Sequence, residues 1–167
     1  MSTEFFPAGR PAPAFKQKAI GSGREVSPQA MAGRPLVLVF VNEASQRGGR
    51  GLFKAMRDQY PSVSQVWLAT VVDLQGVPVI LKGMAESEMK KQYEKLAGRL
   101  PPEDDPTEYV IIVPDWKGEI LKAFGLKRLD KHPAAVVIDA QGVVQGSYLG
   151  ETPDTTILNA LAGCVAA

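Results

Sequence analysis

The sequence predicts an α/β fold, with a central mixed β-sheet flanked by helices on both faces. Three observations lead there. Leu36-Val37-Leu38-Val39-Phe40-Val41 is apolar at every position, as expected of a strand covered on both sides. Ala134-Ala135-Val136-Val137-Ile138 is a second run of this kind. Strands joined by helical patterns come first, then a hairpin, then a terminal helix, so the implied sheet holds both parallel and antiparallel pairs.

Residues 1–12, with Pro7 and Pro11 among small side chains, read as an extended arm, and residues 13–167 as one domain. After the strand at 36–41, Leu52, Phe53, Met56 and Tyr60 recur at helical spacing until Pro61. Gln65 to Asp73 follows as a strand rich in Val, Trp and Thr. Met84 to Leu100 reads as a helix with a stripe of Met89, Tyr93, Leu96 and Leu100. The stiff acidic connector Pro101–Pro106 precedes a strand at Tyr109–Val113. Asp115 is placed to cap a helical segment over Trp116–Phe124 that Gly125 closes. Asp139-Ala140-Gln141-Gly142 is a hairpin turn between strands at 134–138 and 143–149. Thr152-Pro153-Asp154 opens a last helix carrying Ile157, Leu158 and Leu161.

Composition excludes several functions. A net charge of +1 without a long basic run gives nucleic acid no footprint. No apolar stretch approaches the roughly 20 residues that span a bilayer, and the N-terminus shows no secretory pattern. The single cysteine, Cys164, permits no internal disulfide and suits a reducing compartment, so the expectation is a cytoplasmic protein with no membrane partner. One histidine and no cysteine cluster leave too few ligands for a metal site, and no cofactor is expected.

A buried strand, then Asn42-Glu43-Ala44-Ser45-Gln46-Arg47-Gly48-Gly49-Arg50 leading into a helix, then His132-Pro133 ahead of a second buried strand, resembles the thioredoxin-like superfamily. Its branch of alkyl-hydroperoxide-reductase/thiol-specific-antioxidant proteins, with peroxiredoxins and TlpA-like redoxins, also shows Pro11-Ala12-Pro13-Ala14-Phe15-like and Gly-turn segments before the first central strand. The resemblance implies a thioredoxin-like fold, a cis bond at Pro133, and active-site cysteines in the loop at about Ser45 and Gly48. This chain has neither cysteine. Only a thiolate attacks disulfide or peroxide, and a serine hydroxyl has no accessible anion near neutral pH.

The loop Glu43, Ala44, Ser45, Gln46, Arg47, Gly48 is therefore vestigial as a thiol site. The expectation is a redox-inactive binding or scaffold module whose groove, beside the cis-proline implied by the resemblance, is lined by Ser45, Arg47, Arg50, His132 and Pro133. Its partner would be a protein or an extended peptide in β-like pairing. One alternative is a thiol-independent site: Ser45, His132 and Glu43 as a trio, or Arg47 and Arg50 binding a small anion at the helix start. Another is an inherited oxidoreductase or antioxidant role. Cys164, beyond the last apolar stripe, reads as a small residue at a helix end.

Overall fold

The computed structural model describes residues 4–150 and 154–165. Thr152 and Pro153, expected to open the last helix, lie outside the described residues. The strands are β1 (Gln17–Lys18), β2 (Glu25–Val26), β3 (Leu36–Val41), β4 (Trp67–Asp73), β5 (Ile112–Asp115), β6 (Ala134–Ile138) and β7 (Val144–Leu149). The helices are α1 (Gln46–Gln59), α2 (Lys82–Ala97), α3 (Pro106–Tyr109), α4 (Glu119–Ala123) and α5 (Asp154–Ala162).

Five strands form one sheet in the order β5-β4-β3-β6-β7, and β1 pairs with β2 in a separate hairpin. β3, β4 and β5 run parallel, β6 lies antiparallel to β3, and β7 returns antiparallel to β6. The mixed sheet follows from the sequence: helical crossovers join the parallel strands, and the turn at Asp139–Gly142 joins the antiparallel pair.

Every residue of β3 is buried, because the sheet is covered on both sides. Val37, Val39 and Val41 point to a core with Leu52 and Met56 of α1 and Ile157 and Leu161 of α5. Leu36, Leu38 and Phe40 point to the opposite core with Leu121 and Phe124. Phe5, Phe6 and Phe15 close that second core. Phe6 meets Phe124 edge-on at 5.6 Å, and Phe124 meets Phe40 at 5.7 Å. The described part of the N-terminal arm lies along the β7 side. Phe5 and Phe6 donate their N–H groups to Ser147 Oγ, and Gly9 donates to the Val144 carbonyl.

Several boundaries differ from the sequence reading. β4 begins at Trp67 rather than Gln65, because Ser62–Gln65 forms a turn closed by Gln65 N–H to Ser62 O. Tyr109 ends α3 instead of opening a strand. Asp105 caps that short helix at Thr107, with Pro106 in its first position, so the chain extends only from Ile112. The segment 116–124 is helical only over Glu119–Ala123, while Gly125 at φ 84° ends it as expected. Asp115 does cap: its Oδ2 accepts the Ile120 and Leu121 N–H groups at 3.1 and 3.0 Å. α2 starts at Lys82, behind a 3-10 turn over Val79–Leu81, and buries none of its side chains.

Burial holds the Asp115 carboxyl above the usual aspartate range, with the N–H donors opposing and the charge of Asp73 adding to the rise. Protonation favoured by folding stabilises at low pH, and that contribution is lost as pH rises through the folded value. The stability advantage of wild type over Asp115→Asn should therefore shrink as pH climbs from about 4 toward neutrality, in urea titrations. Asp115→Ala should cost about 1–3 kcal/mol by stranding two N–H groups.

Candidate functional site

β3 runs out at Val41, and the next residue, Asn42, organises the turn into α1. Its Oδ1 accepts the Ser45 N–H at 2.9 Å and the Ser45 hydroxyl at 2.8 Å. Its own backbone N–H donates back to Ser45 Oγ at 2.9 Å. Its Nδ2 donates across to the carbonyls of Leu129 (3.1 Å) and Asp130 (2.7 Å). One carboxamide thus joins the end of β3, the start of α1 and the loop that leads to β6.

Ser45 is only 2% exposed and stands at the N-cap of α1, but its hydroxyl is spent on Asn42 rather than on the helix N–H groups. α1 begins at Gln46, inside the loop that the sequence places ahead of the helix. The reason is close packing: a Cβ on Gly49 would overlap Val41 Cγ1, so the glycine lets the first turn lie against β3. Gln46, Arg47, Gly48 and Arg50 occupy that first turn on its exposed side, beside exposed Glu43 and Ala44.

The loop before β6 reaches the same helix end. A Cβ on Gly48 would stand 3.2 Å from Pro133 Cδ and Cγ, so the proline ring packs on the first turn of α1. The expected cis bond at Pro133 is corrected: no described peptide bond is cis. The turn is made elsewhere. Asp130 Oδ1 accepts the His132 N–H at 3.0 Å, and Asn42 holds the carbonyls upstream, so the chain reaches β6 through the ordinarily preferred trans bond. That same N–H holds the Asp130 carboxyl below the usual range. Of the expected groove, Pro133 and Ser45 are buried, His132 is half-buried, and Arg47 and Arg50 project outward. Among the described residues, no hydrogen bond joins Ser45 to His132 or either to Glu43, so no Ser-His-acid relay is assembled.

An open concavity of about 540 Å³ adjoins this loop, at the C-terminal ends of β3 and β4. It is lined by Asn42, Glu43 and Ala44, by Gly76 and Val77, and by Arg128 and Leu129. Buried Asp73 sits at its base, accepting Gln75 N–H and Gln75 Nε2 on Oδ1 and the Leu129 N–H on Oδ2. The sequence reading missed Asn42, Asp73 and Arg128 as site residues. The usable signal for the first two was position, since ligands of open α/β sheets gather beyond the carboxyl ends of parallel strands. Cys164 is remote in chemistry: half-buried, it donates its thiol to the Ala160 carbonyl at 3.3 Å. Burial, then the charge of Asp139, pushes that thiol up.

Solved structures align with this chain over nearly its whole length. They include DsbF of MTB, solved in mixed oxidised and reduced forms, at TM-score 0.61 and 18% identity, covering 93% of this chain and 99% of that one. The fold is thioredoxin-like. A thioredoxin-family thiol:disulfide interchange protein from Chlorobium tepidum aligns at TM-score 0.58 and 15% identity, over 94% and 97% of the two chains. An exposed lipoprotein thioredoxin of Streptococcus pneumoniae aligns at TM-score 0.59 and 16% identity, over 90% and 98%. At these identities the likeness is one of fold. Neither a family model nor a curated protein matches the sequence. In thioredoxin-like terms, the N-terminus of α1 carries Ser45 and Gly48 where the sequence reading expects the two thiols.

Asn42→Ala should cost about 1–3 kcal/mol in chemical denaturation, because the Ser45 hydroxyl loses its acceptor and the Leu129 carbonyl its donor, while the Ser45 N–H keeps the backbone carbonyl of residue 42. Hydrogen exchange should quicken at Ser45 and across residues 128–132 together. Loosening confined to one of the two segments would show that Asn42 does not couple them.

Proposed function

We propose that this thioredoxin-like chain is redox-inactive and works as a binding module, its ligand seated in the concavity walled by Asn42–Ala44 and Arg128. One observation carries the reading. At the helix N-terminus, where thiol chemistry needs a thiolate, stands a buried serine whose hydroxyl is fully engaged with Asn42. The only thiol, Cys164, is held in its protonated form by burial and lies in the packing of α5. A strand-like peptide at the Pro133 loop is less well supported than the concavity, since the His132 N–H is already committed to Asp130. Exposed Glu43 and Arg128, both lining the concavity, suit a polar segment carrying both charges.

Purified protein should neither reduce insulin disulfides nor turn over peroxide with thiols, and Cys164→Ser should change neither result. Peroxide turnover abolished in that variant would place a reactive thiol in the turn after α5 and end the redox-inactive reading. For the binding half, a photo-crosslinking side chain at exposed position 44 should trap a defined partner in the source cell. Trapping should fall with Arg128→Glu and be absent from a probe at Lys95. Equal capture from both positions would mean the concavity selects nothing.

The α1 start also tests the local electrostatics. Ser45→Cys should titrate below the ordinary thiol value of about 8.5, because the helix N-terminus and the Asn42 N–H both favour thiolate. A normal or raised value would mean that burial outweighs them.

A further inference from the structure

The structure exposes a surface that neither the concavity nor the core uses. Between β4 and α2 the chain forms a 3-10 turn at Val79–Leu81 that runs directly into the first turn of α2. Val79 and Ile80 are each 90% exposed, Met84 66% and Leu81 43%. Four large apolar side chains side by side on a protruding tip are unusual on a protein surface that meets only water. Helical spacing puts Ile80, Leu81 and Met84 on one face, which Ser87 and Glu88 then continue, so the apolar face stops after one turn.

The charges around the tip are sorted. Exposed Lys82 follows it directly, its Nζ 5.0 Å from the Trp116 ring centre. Exposed Lys127 and Arg128 lie beside the chain that leads to it. Gln75 Nε2 donates to the Lys127 carbonyl at 3.0 Å, and Arg128 lines the concavity together with Gly76 and Val77, just ahead of the tip. None of the three cations has an ion-pair partner among the described residues. Of the acids of α2, Glu86 lines the cleft toward the β1–β2 hairpin, which also holds Trp116, and Glu88, one turn beyond Met84, pairs with Lys91 at 3.6 Å.

We infer that this tip docks on an anionic lipid surface. Its aliphatic side chains enter the headgroup region, Lys82, Lys127 and Arg128 face lipid phosphates, and Glu88 marks the depth at which entry stops. A convex apolar knob needs a soft apolar medium or a matching pocket, and the flanking cations select the anionic medium. A second copy of the chain is the poorer occupant, since four side chains fall well short of the roughly 800 Å² per partner of a stable interface. Docking on a surface is compatible with the absence of any membrane-spanning helix among the described residues. The inference shares Arg128 with the concavity, but its test turns on Val79, Ile80, Lys82 and Lys127, which do not line it.

The test is co-sedimentation of the full chain with phosphatidylcholine vesicles, with and without phosphatidylglycerol. Wild type should pellet with the anionic vesicles and remain in solution with the neutral ones. Val79→Ser, Ile80→Ser should weaken partitioning about tenfold or more, as expected for removing several buried methylenes. Lys82→Glu, Lys127→Glu should abolish it, and added salt should weaken it. The serine variant should melt like wild type, because both positions are almost fully exposed, so loss of binding is not loss of fold. Wild type left in solution, a serine variant that pellets like wild type, or equal binding to neutral vesicles would each overturn the inference. So would wild-type dimerisation in sedimentation velocity that the serine variant abolishes, since the tip would then be covered by a second copy.

Discussion

The carboxamide of Asn42 is the constraint on which the geometry of this end of the molecule depends. Three chain segments converge there: the end of the central strand, the start of α1 and the loop before β6. Each arrives with backbone groups that no strand or helix satisfies. A buried donor or acceptor left without a partner costs about 1–3 kcal/mol, so one side chain meeting four such demands fixes the segments relative to one another. A thiol loop must leave its sulfur free to react. Here the equivalent position is locked, Ser45 giving its proton to Asn42 and accepting one in return. A hydroxyl committed in both directions and a rigid loop are therefore one structural feature.

The fold was largely legible in the sequence because periodicity and burial coincide in its central elements. β3 and β6 are buried on both faces, and their uninterrupted apolar runs could fit little else. Asp115 and Gly125 were readable as punctuation because capping and left-handed termination demand particular side chains. The misplacements at Tyr109 and Trp116 fall where short-range hydrogen bonds overrode propensity. Asp105 and Pro106 nucleate a helical turn that aromatic and β-branched residues alone would not suggest. α2 was legible as a helix, but its stripe of Met89, Tyr93 and Leu96 turned out only half-buried, because periodicity reports a face and not what covers it.

The site was less legible than the fold. Ser45 and Pro133 were placed at the α1 start, and the structure does bring Pro133 against Gly48. Their roles depended on a bond isomer and on hydroxyl orientation, and neither leaves a trace in residue order. Asn42 looked like an ordinary loop residue; its function lies in contacts to Leu129 and Asp130, nearly ninety positions away. Arg57 is similar. Its Nη1 donates to the carbonyls of Tyr60, Ser62 and Val66 and its guanidinium lies over Tyr109, which closes the α1–β4 connection around a charge that the sequence pattern does not single out.

Such a half-buried arginine shows why long-range polar contacts escape a sequence reading while apolar patterns do not. Hydrophobic burial is summed over a face and survives local error, so a strand can be recognised without its partners. A buried polar group is satisfied by particular atoms or not at all, and those atoms are fixed by the fold. Arg57 accepts the desolvation that lowers its basicity because three carbonyls converge on it. Asn42 achieves the same at the opposite end of the parallel strands. Between them, the two ends of the sheet divide the work: Arg57 closes the end where β4 begins, and Asn42 builds the end where the carboxyl edges of β3 and β4 border the concavity.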